Sequence, residues 1–315
     1  MIKALRYSLN YMDINSCLTV LIPAKMEAGI GKVIEELHEH GLNNIITVVD
    51  DYDDPTAAAA ASLGSQVVKS GGMGKANAVY AGLRYVRTPF VLVMDGDYTY
   101  DPSSVREMLR MAIQNDLDEV LGARLMGKEN IPPLHRFGNA VLTGIFNLLF
   151  GTSLSDVLTG MYLLRSDAAR SIIPGSKGFS VEVDIASQIA STGKIGELPI
   201  KYRKRIGDPK LRWSHGLNIG VDIIRLMIRY NPIFIFSLAV ALLLVPGLLL
   251  TLYTGVQLLF RHVNHFIWGI IAVELTSTGM IGLMMALLAL MIKRLEFRLV
   301  NANKAGKNPC EGLEL

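Results

Sequence analysis

Asp95-Gly96-Asp97 carries the clearest chemistry in this chain. Two carboxylates one residue apart can share a hard divalent cation. Mg2+ or Mn2+ takes a few carboxylate oxygens together with substrate phosphates. A solvated acidic turn has the same residues, so the surroundings must decide. The run before them, Phe90 to Met94, is continuously apolar and follows Pro89, as a core strand of a parallel sheet would. The two carboxylates then leave its C-terminal edge, where open α/β sheets bind ligands.

A second acidic strand end follows 45–49: Asp50, Asp51, Asp53 and Asp54. Asp50 or Asp51 can accept hydrogen bonds from a base or a ribose. Asp53 and Asp54 serve equally well as caps for the Ala-rich helix expected over 56–62. Ser70-Gly71-Gly72-Met73-Gly74-Lys75 leads into a helix over 76–86. It fails as a P-loop, which needs Gly where Lys69 stands and Ser or Thr where Ala76 stands. A glycine-rich turn with a lysine at a helix N-terminus still suits a diphosphate, and a plain loop has the same composition.

The elements that position these groups alternate. Strand patterns at 18–22, 45–49, 66–69, 90–94 and 119–124 are separated by helical patterns, the first with Ile30, Val33, Ile34 and Leu37 on one face. Such alternation predicts a doubly wound α/β domain. Residues 134–150 are rich in apolar side chains and read either as a core helix or as a helix touching a bilayer surface. A polar loop then leads to a strand at 161–165, a helix to about Ala190, a strand at 197–202 and the basic segment Arg203 to Trp213. Basic runs are usually solvated faces or patches on anionic headgroups; phosphate binding is the sharper reading.

Composition changes near Tyr230. Before it, charged and apolar residues mix as in a soluble domain. From Pro232 to Ile292 the chain is almost all apolar. The stretches 232–260 and 266–292 each exceed the roughly 20 residues that cross a bilayer. Their short connector makes them a hairpin. Arg225, Arg229, Lys293, Arg294 and Arg298 flank its open end, which predicts both termini on the cytoplasmic side. The residues before the first strand carry Lys3, Arg6 and Asp13 and no long apolar core, so no signal peptide is expected. Glu274 inside the second stretch is a candidate for helix–helix hydrogen bonding or self-association. The formal charge of +3 gives no argument for nucleic acid. Cys17 and Cys310 stand at opposite ends, so neither a disulfide framework nor a cysteine metal site is expected. The expected organisation is an extension over 1–16, an α/β domain over 17–215, an interfacial amphipathic helix over 216–230, a transmembrane hairpin over 231–293 and a tail over 294–315.

Over about residues 17–215 this pattern resembles glycosyltransferase family 2, and within it the polyprenyl-phosphate sugar synthases such as dolichyl-phosphate mannose synthase. Seven segments come in the family's order: Pro23-Ala24-Lys25-Met26-Glu27, Val49-Asp50-Asp51, Asp95-Gly96-Asp97, Gly122-Ala123-Arg124, Arg136 with Asn139, Asp156 to Thr159-Gly160, and Arg205-Ile206-Gly207-Asp208-Pro209-Lys210-Leu211. Lys25-Met26 replaces the family's Tyr-Asn. Arg212-Trp213 lacks the Gln of the processive members, since Pro209 holds its place, and this implies a single transfer.

The resemblance implies a GT-A fold, Rossmann-like with a mostly parallel sheet, followed by an interfacial helix and the hairpin. It implies inverting transfer of one hexose or N-acetylhexosamine from a UDP- or GDP-linked donor to polyprenyl or dolichyl phosphate. The membrane is then the cell membrane, or the endoplasmic reticulum in a eukaryote. Pro23, Ala24, Glu27, Asp50, Asp51, Gly74, Lys75, Asp95 and Gly96 would hold the nucleotide sugar. Asp95 and Asp97 would hold Mg2+ or Mn2+. Arg124, Arg136, Arg205 and Lys210 would receive the acceptor phosphate, with Asn139, Asp156, Thr159 and Glu182 on the acceptor side. The catalytic set is Asp95, Asp97 and Arg124. Two alternatives stand beside this. One is a transferase acting on a lipid-linked oligosaccharide or a lipid hydroxyl, with Asp156 or Glu182 as base. The other is a non-catalytic nucleotide-sugar-binding membrane protein.

Overall fold

The computed structural model describes residues 13–72, 74–174, 181–206, 225, 232–304 and 310. The chain divides into two compact units, Met1–Ile224 with Gly306–Leu315, and Arg225–Ala305.

The first unit is built on a seven-stranded sheet: β1 Leu18–Pro23, β2 Ile45–Val49, β3 Gln66–Lys69, β4 Phe90–Met94, β5 Glu119–Met126, β6 Met161–Arg165 and β7 Ile195–Lys201, in the order β3-β2-β1-β4-β6-β5-β7. β1, β2 and β4 are buried along their whole length, as unbroken apolar runs require. β3, β2, β1 and β4 are parallel. β6 runs antiparallel between β4 and β5, and β5 and β7 are parallel to each other. Helices cover both faces. α2 (Ile30–Glu39) and α5 (Val105–Gln114) pack with Leu18, Val20, Ile22, Leu92 and Met94. On the other face α4 (Lys75–Leu83) comes so close that a Cβ at Gly82 would collide with Leu21 and Val48. Asp54 caps α3 (Pro55–Ser62) through the Thr56 amide at 2.9 Å, so it takes the capping role open to it in the sequence.

The expectation for the cysteines is corrected. Cys17 and Cys310 are fully buried, 5.9 Å apart at Cα, and joined as a disulfide. Their separation along the chain hid the pairing, because Cys310 belongs to the core of the first unit. The chain therefore leaves this unit, forms the second unit and returns.

α6 (Pro133–Phe150) resolves the ambiguity over 134–150 by having two apolar faces. Thr143, Phe146, Leu149 and Phe150 are buried, while Leu134, Phe137, Val141 and Leu148 form an exposed stripe. The second unit is two helices, Pro232–Arg261 and Phe266–Lys304. They contain apolar windows long enough to cross a membrane, Phe236–Arg261 and Phe266–Ile292, with mean hydropathy 2.2 and 2.0. The second helix runs twelve residues past the end expected from hydropathy, through Asn301. Small residues bring the pair together: a Cβ on Gly279 would lie 2.6 Å from the Leu244 backbone, and one on Gly247 would lie 2.7 Å from Thr276 N. Glu274 points outward from the hairpin.

Candidate active site

Strand direction gathers the site. The parallel strands β1, β2, β3 and β4 end on one edge of the sheet. β5 and β7 run with them and end there too, and the antiparallel β6 begins there. Pro23, Asp50, Ser70, Asp95, Arg124, Gly160 and Tyr202 thus meet at one edge, although they span the sequence from the first strand to the last.

Asp95 leaves β4 with its amide bonded to the Gly160 carbonyl at 3.2 Å. Its carboxylate lies against the Gly160 α-carbon, where any Cβ would overlap it. Lys75, the first residue of α4, pairs with Asp95 Oδ1 at 2.6 Å and also with Glu182 of α8 (Val181–Thr192). The turn before Lys75 uses left-handed backbone at Gly71, Gly72 and Gly74, and Asn77 ties it down through the Ser70 and Gly72 carbonyls. Burial pushes the Asp95 carboxyl up to about 6; Lys75 opposes this rise, and Asp97 and Glu182 add to it. Burial acts to lower the pKa of Lys75, yet Asp95 and Glu182 hold it above the ordinary lysine value.

Asp97 is held differently. Its Oδ1 accepts from the Thr99 amide at 3.1 Å and from the Thr99 hydroxyl at 2.5 Å. Its Oδ2 faces Arg205 Nη1 at 3.1 Å, and Arg205 Nη2 lies 3.4 Å from Glu27. Between the two aspartates a Cβ on Gly96 would sit 3.2 Å from Ile22 and 3.3 Å from Ile30, so a small residue is required. Tyr98 takes a left-handed conformation, φ 68°, which is uncommon for a non-glycine residue and concentrates at functional sites.

A second group lies beyond Asp95. Arg124 grips Asp156 with both prongs, Nε to Oδ2 at 2.6 Å and Nη2 to Oδ1 at 2.8 Å, and rests 5.5 Å from the Tyr202 ring. With its amide turned to satisfy both groups, Asn139 accepts from Arg124 at 3.0 Å and donates to the His135 carbonyl at 3.2 Å. The N-terminal turns of α6 are therefore anchored beside Arg124, with Arg136 exposed on them. Thr159 donates to the Gly122 carbonyl at 2.6 Å, and the Gly160 amide donates to Tyr100 Oη at 2.6 Å. On the β1 and β2 side, Asp50 pairs with Lys25 at 2.6 Å and Asp51 with Lys69 at 2.9 Å. Ala24 is buried, and Glu27 is fixed by its amide on Thr56. Lys210, and all of 216–230 except Arg225, lie outside the described residues.

The donor set fits a hard divalent cation. Asp95, Asp97, Glu27 and Glu182 face two protein cations, Lys75 and Arg205, which leaves an excess of negative charge among oxygen donors. The other acidic cluster does not compete. Glu36, His40 and Asp101 bring ligand atoms within 4.8 Å of one another, but Arg203 already pairs with Glu36 at 2.7 Å and Asp101 at 2.9 Å. Sequence reading passed over Thr99, Lys25 and Tyr100. Thr99 had a signal, a hydroxyl two residues after a carboxylate. Tyr100 had none, because its partner lies across the sheet edge.

Residues 19–173 match glycosyl transferase family 2. A dolichyl-phosphate hexose transferase of Haloferax volcanii is 30% identical over 208 residues, covering 64% of this chain and 90% of that protein. The chain belongs to glycosyl transferase family 2. It is a glycosyltransferase. Glycosyltransferase AglJ of the same organism is 26% identical over 286 residues, 88% of this chain and 94% of that one. The low-salt glycan biosynthesis hexosyltransferase Agl6 is 29% identical over 240 residues, and this chain spans only 56% of its length. The family's GT-A fold is also that of glucosyl-3-phosphoglycerate synthase from Mycobacterium tuberculosis, solved with Mn2+, uridine diphosphate and phosphoglyceric acid. That similarity has TM-score 0.54 at 18% identity and covers 70% of this chain and 81% of the other.

Proposed function

We propose that this family 2 enzyme transfers one hexose or N-acetylhexosamine, with inversion, from a UDP- or GDP-linked donor to a polyprenyl or dolichyl phosphate. One observation carries the choice of acceptor. Asp50, Asp51, Asp95, Asp97, Asp156 and Glu182 each already hold a cation at this edge. A hydroxyl acceptor needs a base to remove its proton. A phosphate acceptor is ionised near pH 7 and needs only positioning and screening from the donor phosphates. The relative named a dolichyl-phosphate hexose transferase supports the same reading.

Asp95 and Asp97 would hold Mg2+ or Mn2+, which when bound stabilises charge on the departing nucleoside diphosphate. Lys75, with Gly74 before it, presents a helix N-terminus and an ammonium to the same phosphates. Pro23, Ala24, Glu27, Asp50 and Asp51 frame the nucleoside, and Asp95 faces sugar and ribose. Arg124 is a fixed cation for the acceptor, because Asp156 and Asn139 hold its plane. Arg136 and Arg205 complete the set on the described part of the edge.

The hairpin would anchor the enzyme in the membrane with the catalytic unit and both termini on the cytoplasmic side. The return of Cys310 to the first unit supports an even number of crossings. The stripe Leu134, Phe137, Val141 and Leu148 would lie on the bilayer surface, where the isoprenoid tail stays while its headgroup reaches Arg124. Glu274, outward on the hairpin, is the candidate contact for self-association.

The test is transfer of radiolabelled sugar to dolichyl phosphate in detergent, across UDP- and GDP-sugars, with Mn2+ or EDTA. An EDTA-sensitive lipid product from one donor is expected. Product only with a lipid-linked oligosaccharide would replace the acceptor assignment.

A further inference from the structure

Three arginines leave β5 and β7 at the site edge, and they are held to very different degrees. Arg124 makes two short bonds to Asp156, at 2.6 and 2.8 Å. Arg203 makes two to Glu36, both 2.7 Å, adds Asp101 at 2.9 Å and lies 5.1 Å from the Tyr98 ring. Their guanidinium planes are locked. Arg205 has an ion pair to Asp97 at 3.1 Å, long contacts to the two Glu27 oxygens at 3.4 and 3.5 Å, and a buried Nε with no hydrogen-bond partner. A buried donor left unpaired is costly, so this arrangement is poorly satisfied. Its backbone, by contrast, is well anchored: the Arg203 amide donates to the Thr99 carbonyl at 2.7 Å and the Ile206 amide to the Asp97 carbonyl at 3.2 Å. Arg205 is a loose side chain on a fixed pivot.

Its partner atom is the one a cation needs. Thr99 occupies Asp97 Oδ1 through both its amide and its hydroxyl. Oδ2 is the outward oxygen, and Arg205 sits on it. We propose that Arg205 is an exchangeable counter-ion of the metal site. It neutralises Asp97 in the substrate-free enzyme and swings to the substrate phosphates when a divalent cation takes Asp97. The cation and donor must then bind before the acceptor phosphate finds its full set of positive charges. This inference rests on the metal assignment made above, and it makes Arg205 a positioning residue for binding order.

Exchange predicts two effects of opposite sign from one substitution. Manganese binding to the full-length enzyme in detergent is followed by electron paramagnetic resonance of free Mn2+, first without nucleotide. Arg205→Gln should bind Mn2+ about fivefold tighter than the native enzyme, the scale of one partly exposed ion pair. The same variant, titrated with UDP or GDP at saturating Mn2+, should bind the diphosphate more weakly. Arg205→Lys, which keeps the charge without the fork, should fall between on both axes. A merely structural arginine would change neither affinity or weaken both. Unchanged or weaker Mn2+ binding by Arg205→Gln, in an enzyme whose native form binds Mn2+, would overturn the exchange alone. Absence of Mn2+ binding by the native enzyme even with UDP and GDP would overturn the metal assignment and the exchange with it.

Discussion

At the scale of single residues, Gly160 decides how Asp95 points. The carboxylate lies where a Cβ would be, so Gly160→Ala must push Asp95 away from Lys75 or distort the start of β6. Displacements near 1 Å at a reacting centre cost about 100-fold in rate, and turnover of Gly160→Ala should fall on that scale while nucleotide binding survives. Normal turnover would mean that Asp95 does not face the reacting sugar. Glu119 is a second such residue. It is buried in β5 with neither oxygen hydrogen-bonded, and burial, helped by Asp118, pushes its carboxyl well above the ordinary value of 4.5. The folded state therefore keeps a proton that the unfolded chain releases. Its contribution to stability is full below about pH 4.5 and is lost as pH rises toward the folded value. Glu119→Gln removes this dependence, so its melting temperature should exceed the native one by a margin that widens with pH. A constant margin would show that Glu119 is solvated in solution.

At the scale of elements, α6 carries the largest mismatch between position and chemistry. One face is packed on the first unit, and the opposite face exposes Phe137 and Leu148 at 70% and 69%. Such a stripe on a surface helix marks an apolar partner. Phe137→Glu with Leu148→Glu should leave folding within about 0.5 kcal/mol, as surface changes do. It should raise KM for a long-chain isoprenoid phosphate about tenfold or more, since burying one such side chain is worth roughly 1.5–3 kcal/mol. A water-soluble short-chain phosphate should be used as before. Equal effects on both acceptors would place α6 in the site itself rather than against lipid.

At the scale of the whole molecule, the Cys17–Cys310 bond closes the chain at the sheet edge opposite the site, before β1 begins. A bond that closes so long a loop restricts the unfolded chain strongly. Its loss should cost about 2–4 kcal/mol and lower Tm by roughly 5–10 °C. Cys310→Ser should match the reduced native enzyme and show no further response to reductant. A native melting curve indifferent to reductant would mean that the two sulfurs stay unbonded in solution.

Local pattern made much of this legible. Unbroken apolar runs, helical spacing and turn residues placed every strand from β1 to β7 and the two long apolar helices, because each is encoded within a few residues. The Asp95-Gly96-Asp97 turn at a strand end and the Gly-rich entry to α4 were visible for the same reason. Pairing at a distance was not. Lys75 meets Glu182 across 107 residues, and Arg205 meets Glu27 across 178. No periodicity records such partners. The antiparallel insertion of β6, which brings Gly160 onto Asp95, is a choice of sheet order and not of strand propensity. Cys17 and Cys310 meet because the chain returns to its first unit, a matter of where the ends fall in space. The sequence specifies which groups reach the edge of the sheet; the tertiary fold decides which cation holds which carboxylate, because charge pairing depends on distance in space alone.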